Sequence, residues 1–183
     1  MAYVECSFDS PFVARSAALR DYALPSFPHG RPVLEGARDL CTRIHRDFRY
    51  DPAATSLATP LHEVLAQRHG VCQDFAHVMI GALRSLGVPA RYVSGYVRSA
   101  PLNPAADDDE AMVGSEASHA WAQVFSPESG WTDFDPTNDV VPSDQHVVLG
   151  WGRDYDDVSP IQGVTLGGGL QTVAVKVELR PRD

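Results

Sequence analysis

The chain has 183 residues, 44% of them hydrophobic, which is enough to bury one core without requiring a second. We therefore predict a single domain over residues 1–183. Its formal net charge is −9, and its fifteen Lys and Arg residues are dispersed. Because phosphate binding needs clustered basic side chains, this balance argues against nucleic acid as a partner.

The ends of the chain carry no apolar run long enough to cross a membrane, and residues 1–24 lack the basic start and apolar centre of a signal peptide. We expect no membrane partner and a cytoplasmic location. The three cysteines, Cys6, Cys41 and Cys72, are odd in number and widely spaced. This pattern predicts neither a disulfide framework nor a CxxC zinc site, and no cofactor is expected.

The first half of the chain is predicted to be helical. A strand-like opening, Ala2 to Phe8, precedes Ser10-Pro11, which has the residue types of a helix start, with the helix running to about Tyr22. Residues 1–30 thus form a peripheral strand and helix lead-in. Apolar spacing predicts a helix near 33–48, and Pro60 begins a short helix that ends near His69.

The next helix is the most informative element, because it begins at a cysteine. Its apolar residues follow the i, i+3, i+4, i+7 spacing of one buried face, and they are Phe75, Val78, Met79, Ala82, Leu83 and Leu86. Gly70 ends the segment before it, so Cys72 falls in the first helical turn. Unpaired N–H groups and the helix dipole favour an anion there, and a thiolate is such an anion.

The second half of the chain is predicted to form strands near 90–98, 118–126, 131–135, 145–150 and 170–180. Because helices come first and strands follow, we predict an α+β fold in which an antiparallel sheet packs against the Cys72 helix.

Two of these strands offer partners for a reactive thiol. The Pro- and Ser-containing stretch 126–130 has the composition of a hairpin loop, and its Pro127 is midway between His119 and Asp135. Folding the hairpin places those two residues at about the same level on adjacent strands. An imidazole that activates a thiol needs such a carboxylate to fix its tautomer and stabilise its cation. We therefore predict that Cys72, His119 and Asp135 act together.

These segments resemble the transglutaminase-like superfamily, in particular its bacterial members described as candidate cysteine proteases. The resemblance rests on Gly-Val-Cys-Gln-Asp-Phe-Ala-His at 70–77, on the 84–96 segment that follows, on Ala-Ser-His-Ala-Trp at 117–121, on 130–138, and on Gly-Arg-Asp-Tyr-Asp-Asp-Val-Ser-Pro at 152–160. Together they cover most of the chain from about residue 40.

The resemblance implies a papain-like or transglutaminase-core fold, with Cys72 as nucleophile, His119 as base and Asp135 as orienting acid. It implies a thiol-dependent acyl-transfer enzyme that cleaves or transfers amide bonds of a peptide or protein substrate through a thioester, without calcium. Hydrolysis would make it a protease or amidase, and transfer to an amine would make it a transamidase.

Several alternatives stay open at this stage. Asp133 lies on the same predicted strand face as Asp135, so alternation alone does not separate them, although the resemblance favours Asp135. A catalytically silent interaction module of the same fold is the second hypothesis. A metal-dependent hydrolase is the third, but its ligand spacings are absent, so His62, His69, His77 and His146 are interpreted as surface or supporting groups.

Two further expectations concern the surroundings of Cys72. Its own backbone N–H is the natural donor to an oxyanion, and Tyr50 is proposed as the second donor. Many bacterial members carry a β-rich domain before this region, and nothing of that size precedes residue 40 here. We therefore expect either a short member or a piece of a longer protein.

Overall fold

A computed structural model describes residues 3–53, 59–98 and 118–159, and it confirms the α+β class. The helices are α1 (Ala17–Ala23), α2 (Val33–Asp47), α3 (Leu61–Gln67) and α4 (Cys72–Ser85). The strands are β1 (Arg49–Tyr50), β2 (His69–Gly70), β3 (Ala90–Val97), β4 (His119–Ser126), β5 (Gly130–Phe134) and β6 (His146–Gly152). Short 3-10 turns span Glu5–Ser7, Leu24–Ser26 and Tyr155–Val158. In these ranges no helix combines the length and apolar character that spanning a membrane requires.

Four strands form one antiparallel sheet in the order β5-β4-β3-β6. The hairpin between β4 and β5 is closed by the Ser126 hydroxyl, which accepts the Ser129 N–H at 3.1 Å, and by Gly130, whose φ of +70° suits glycine. The two-residue strands β1 and β2 pair in parallel elsewhere, with Tyr50 level with Gly70. This second pairing places Tyr50 beside the residues that lead into α4.

Helix α4 lies at the centre of the core, between the sheet and the other helices. Twelve of its fourteen residues are buried, and the helix contacts β3 and β4 on one side and α1, α2 and α3 on the other. An element buried all round has little freedom to shift, because each side chain fills a gap left by its neighbours. The first residue of α4 is therefore held rigidly against the sheet.

Near its end, α4 carries a buried cation. Arg84 is 1% exposed, and its guanidinium donates to the carbonyl oxygens of Cys6, Phe8, Ala90 and Arg153 and to the Ser10 hydroxyl. These acceptors come from the chain's opening segment, the start of β3 and the turn after β6. One side chain thus joins three distant parts of the sequence to the central helix.

The opening segment differs from its prediction. Among residues 3–8 there is a 3-10 turn and no strand, and α1 begins at Ala17 after an N-cap at Ser16, whose hydroxyl accepts the Leu19 N–H at 3.2 Å. Ser10 instead closes a tight turn with Val13 and binds Arg84. The predicted helix start at Ser10 was wrong because its hydroxyl binds Arg84 and its carbonyl oxygen is used in the local turn with Val13.

The remaining elements match their predictions within a few residues. The helices near 33–48 and 60–69, the Cys72 helix and four strands are all present. One small difference is that residues 49–50, for which no element was predicted, form β1. The predicted strand at 170–180 lies outside the described residues.

Gly95 tests the packing of the sheet. A Cβ at this position would lie 2.2 Å from the Val147 carbonyl oxygen and 2.6 Å from the Trp121 ring, whereas a Cβ at Gly150 would meet only Val158 at 3.8 Å. We expect Gly95→Ala to lower the free energy of unfolding by about 3 kcal/mol or more through overpacking, and Gly150→Ala to change it by less than about 1 kcal/mol. Urea unfolding of both variants measures the difference, and equal losses would contradict this packing.

Candidate active site

Cys72 is the first residue of α4 and sits where the helix N–H groups are unpaired. The preceding residue, Val71, is extended, and its N–H donates to the Asp74 carboxylate at 2.8 Å. Gly70 allows this cap, because a Cβ there would lie 2.5 Å from that carboxylate oxygen. Local sequence therefore fixes the helix start at Cys72, a residue that is 9% exposed.

The other two cysteines lie in different surroundings. Cys6 is 2% exposed and Cys41 is fully buried. Burial raises the pKa of both thiols, that of Cys41 to about 12. Because the thiolate is the nucleophilic form, these two residues are expected to be inert.

His119 begins β4 and is buried next to Asp135. Its Nε2 lies 2.8 Å from Asp135 Oδ2, while its Nδ1 is buried without an ordinary hydrogen-bond partner among the described residues. Burial alone would lower the pKa of His119, but interactions with Asp135 and Cys72 outweigh it and raise the pKa to about 10. The Asp135 carboxylate thus orients the ring through Nε2, and Nδ1 remains for an interaction with the Cys72 thiol.

Cys72 and His119 share one cleft of about 230 Å³. Its wall carries three tyrosines, and the full lining is Tyr50, Val71, Cys72, Gln73, Tyr92, Ser94, Ser118, His119, Ala120 and Tyr155. Burial and the nearby Cys72 raise the pKa of Tyr50 and of Tyr92, so both stay neutral phenols near pH 7. No Lys, Arg, Asp or Glu side chain lines this cleft within the parts of the chain that the structure describes.

The Asp135 carboxylate, fully buried, is surrounded by N–H donors. Oδ2 accepts from His119 Nε2 at 2.8 Å, Asn138 Nδ2 at 2.8 Å and His146 Nε2 at 3.1 Å. Oδ1 accepts the backbone N–H groups of Thr137 at 2.9 Å and Asn138 at 3.3 Å. Burial opposes ionisation, but the hydrogen bonds from the two histidines and from Asn138 hold the Asp135 pKa well below its usual range.

The hairpin brings His119 and Asp135 together in a pairing register two residues away from the predicted one. Ser126 pairs with Gly130, so the turn centres on Glu128 and not on Pro127. Continued past β5, this register sets Asp135 level with Trp121, and His119 is its diagonal neighbour. Diagonal neighbours on the same face are still within reach of each other's side chains, so His119 and Asp135 can make their contact.

Asp133 has a different role from Asp135. One oxygen accepts the Trp121 indole N–H at 2.6 Å, and the other accepts from the Gln123 amide at 3.0 Å. Trp121 in turn stacks against His119, with ring centroids 6.1 Å apart. Asp133 therefore fixes a wall of the site, and Asp135 is the carboxylate that contacts the imidazole.

Two residues of this site were missed from the sequence. The sequence indicates no specific role for Asn138, which lies in the 130–138 segment, and it gives His146 only a general surface or supporting interpretation. Asn138 could have been suspected, because an aspartate at a turn often binds the backbone two residues on, which brings the residues just after it close to its carboxylate. His146 gave no local signal, since its contact with Asp135 depends on the strand order.

One histidine outside the hairpin has the supporting role that the sequence allowed for it. His77, interpreted as a surface or supporting group, is buried and accepts the Tyr155 N–H at 3.2 Å. Burial lowers its pKa to about 4, so it remains a neutral acceptor. This bond holds Tyr155 at the edge of the cleft.

The ligand-type atoms of His119, Asp135 and His146 all lie within 4.8 Å of one another, a grouping that can hold a metal ion. Imidazole and carboxylate are zinc ligands. However, Oδ2 of Asp135 already accepts three hydrogen bonds. These bonds account for the convergence of the three side chains without an ion.

Comparison with known proteins gives the site its context. The profile of the transglutaminase-like superfamily matches residues 26–136. An uncharacterized protein of Mycobacterium tuberculosis is 46% identical over 169 residues, which are 90% of this chain and 52% of the relative. The chain thus spans about half the length of its mycobacterial relatives. The protein-glutamine gamma-glutamyltransferase of Pseudomonas aeruginosa is 31% identical over 141 residues, 67% of this chain and 20% of that protein.

Solved structures agree with the fold. A candidate cysteine protease of Cytophaga hutchinsonii superimposes with a TM-score of 0.69 and 28% identity, over 86% of this chain and 49% of its own. The periplasmic domain of TgpA from Pseudomonas aeruginosa gives a TM-score of 0.51 and 30% identity, over 73% of this chain and 46% of its own.

The buried pair predicts a stability profile with two limits. Because the Asp135 pKa is depressed, its contribution is present above the ordinary value of about 3.9 and is lost as pH falls through the folded-state pKa. Because the His119 pKa is raised, its contribution is complete below about 6.5 and is lost as pH rises through about 10. We expect Asp135→Asn to lower the free energy of unfolding by about 3 kcal/mol near pH 5.5, and by less at pH 3 and at pH 10.

Urea unfolding across this pH range tests the profile. Asp9→Asn is the matched control, because Asp9 pairs with Arg15 at 2.7 Å on the exposed surface. Its effect should stay below about 1 kcal/mol. A loss for Asp135→Asn that is independent of pH would contradict the ionised pair.

Proposed function

Because the chain belongs to the transglutaminase-like superfamily, we propose that it is a thiol-dependent enzyme that transfers acyl groups from amide bonds. Cys72 is the proposed nucleophile, His119 the general acid and base, and Asp135 the carboxylate that orients His119. The observation that carries the proposal is the buried 2.8 Å contact between His119 and Asp135, which leaves His119 Nδ1 available on the side of the Cys72 cleft.

The proposed reaction has two halves. In the first, the Cys72 thiolate attacks the carbonyl carbon of an amide, and the C–N bond breaks as His119 gives its proton to the leaving amine. A thioester to Cys72 remains. In the second, water or a primary amine attacks the thioester while His119 takes up a proton, and the thiolate is released. Water gives hydrolysis, and an amine gives a new amide.

The cleft favours an uncharged carbonyl donor. Among the described residues, its lining of tyrosines and small residues offers no charged side chain to bind an ionic substrate group, apart from His119 itself. A glutamine side chain or a peptide bond fits this chemistry. The relative from Pseudomonas aeruginosa is named for glutamyl transfer and the one from Cytophaga hutchinsonii for proteolysis. We propose hydrolysis of peptide or side-chain amides as the first activity to test.

Two donors are proposed for the oxyanion of the tetrahedral intermediate. The Cys72 backbone N–H is at the start of α4, where helix amides and the dipole favour negative charge. Tyr50 lines the same cleft, and the pairing of β1 with β2 holds it beside Gly70. Its phenol remains protonated near neutral pH because burial and Cys72 raise its pKa. It is therefore able to donate.

Alkylation of the thiols tests the Cys72–His119 pair without a substrate. We expect iodoacetamide at pH 6 to label Cys72 much faster than Cys6 or Cys41, which are more buried. His119→Ala should slow the labelling of Cys72 by about tenfold or more, the factor that one pKa unit of interaction represents. Mass spectrometry of each cysteine peptide over pH 5–9 gives the rates.

Products identify the reaction. With casein and a biotinylated primary amine as probes, amine incorporation, ammonia release and new peptide termini report transamidation, deamidation and proteolysis respectively. Each product formed should disappear in Cys72→Ser. If Cys72 labels no faster than a free thiol and is insensitive to His119→Ala, the catalytic proposal fails, and a silent binding module takes its place.

Tyr50→Phe tests the second oxyanion donor. The change removes one hydroxyl from the cleft and keeps the ring that packs edge-on against Phe75 at 6.4 Å. We expect kcat on the amide substrate found above to fall by about a hundredfold with little change in KM. Tyr92→Phe, at the same cleft, is the matched control and should retain most of its activity. Equal effects of the two changes would show that Tyr50 has no special role.

A further inference from the structure

A second histidine binds the same carboxylate oxygen as His119. His146 Nε2 lies 3.1 Å from Asp135 Oδ2, and the His146 side chain is 2% exposed. Its ring meets Trp121 edge-on at 5.2 Å and lies 6.1 Å from the His119 ring. Such a position fixes the ring in one orientation, with Nε2 directed at the carboxylate.

The contact joins opposite edges of the sheet. Asp135 directly follows β5, at one edge, whereas His146 is the first residue of β6, at the other edge. The chain between them crosses the end of the sheet. The carboxylate that orients His119 is thus held from β4 on one side and from β6 on the other.

Hydrogen-bond chemistry defines the state of His146. Because Asp135 is ionised and Oδ2 can only accept, the Nε2 of His146 donates its proton. Its Nδ1 is buried and has no hydrogen-bond partner among the described residues. The proton on Nε2 is therefore the one through which His146 holds the carboxylate.

We propose that His146 is a positioning residue, which holds Asp135 Oδ2 in the plane where His119 needs it. This inference rests on the proposed function of the Cys72–His119–Asp135 set. His146 does not touch the cleft that Cys72 lines. It acts by limiting rotation of the carboxylate, so that the His119 ring keeps Nδ1 toward the thiol throughout the reaction.

Three substitutions separate the effect of the His146 N–H donor from the effect of its ring volume. His146→Phe keeps an aromatic ring against Trp121 and removes the donor. His146→Gln restores an N–H near the position of Nε2, and His146→Asn carries an amide too short to reach Oδ2. Each variant is alkylated with iodoacetamide over pH 5–9, and the labelling rates of Cys72 and Cys41 are compared.

The inference predicts that His146→Phe and His146→Asn slow Cys72 labelling at pH 6 by about ten- to a hundredfold, the factor for one lost hydrogen bond to a charged group. The labelling profile should move toward higher pH, and His146→Gln should recover most of the rate. Cys41, which is fully buried, reports on the fold. Its labelling should stay slow in all three variants.

Two results would overturn the inference. In the first, His119→Ala slows Cys72 labelling but His146→Phe and His146→Asn do not, which leaves the catalytic proposal intact. In the second, His146→Gln fails to restore the labelling rate of Cys72, or Cys41 labelling speeds up as Cys72 labelling slows. Either outcome would make His146 a structural residue only. If His146→Phe fails to fold, the comparison of Gln with Asn decides alone.

Discussion

The site is organised around one buried charge, the carboxylate of Asp135. Removing an ion from water costs several kcal/mol even after the protein relaxes, and each hydrogen bond to a charged group returns about 1.5–3 kcal/mol. Asp135 collects five such contacts from its surroundings. Loss of any single donor would leave the carboxylate underpaired, so the loop after β5, the start of β4 and the start of β6 must all be in place together.

That loop is itself fastened to a helix. Asp139 has a φ of +53°, an uncommon conformation for a residue other than glycine. It pairs with Arg38 of α2, and Thr42 donates to the same carboxylate at 2.8 Å. His45, one turn further along α2, contacts the Thr137 carbonyl at 2.9 Å. The helical layer thus supports the turn that donates two backbone N–H groups to Asp135.

Sequence reasoning succeeded where the signal is local. Apolar periodicity located α2 and α4, and hairpin composition was enough to bring His119 near Asp135, although the pairing register was two residues off. Spacing alone could not decide whether Asp133 or Asp135 contacts His119. The choice depends on the hydrogen bonds that Trp121 and Gln123 donate to Asp133. Sequence reasoning missed His146 for a related reason, since only the strand order places β6 within reach of the β5 loop.

The prediction for the opening segment was wrong for the opposite reason. Its local signal was clear, but tertiary contacts overrode that signal. Ser10-Pro11 has the chemistry of a helix start, but the Ser10 hydroxyl binds Arg84 and the Phe12 N–H binds Asp154 at 2.7 Å. A buried guanidinium imposes strict demands on its neighbours, since any N–H group left without an acceptor is costly. The tertiary requirement therefore outweighed the local preference.

Arg84 also has a consequence for the dynamics of the chain. Segments near a terminus usually open on their own, with little free energy, and exchange their amide hydrogens quickly. Residues 6–10 cannot detach in this way without leaving a buried cation short of three of its acceptors. The segment belongs to the same cooperative unit as α4, and its opening is coupled to that of the helix that carries Cys72.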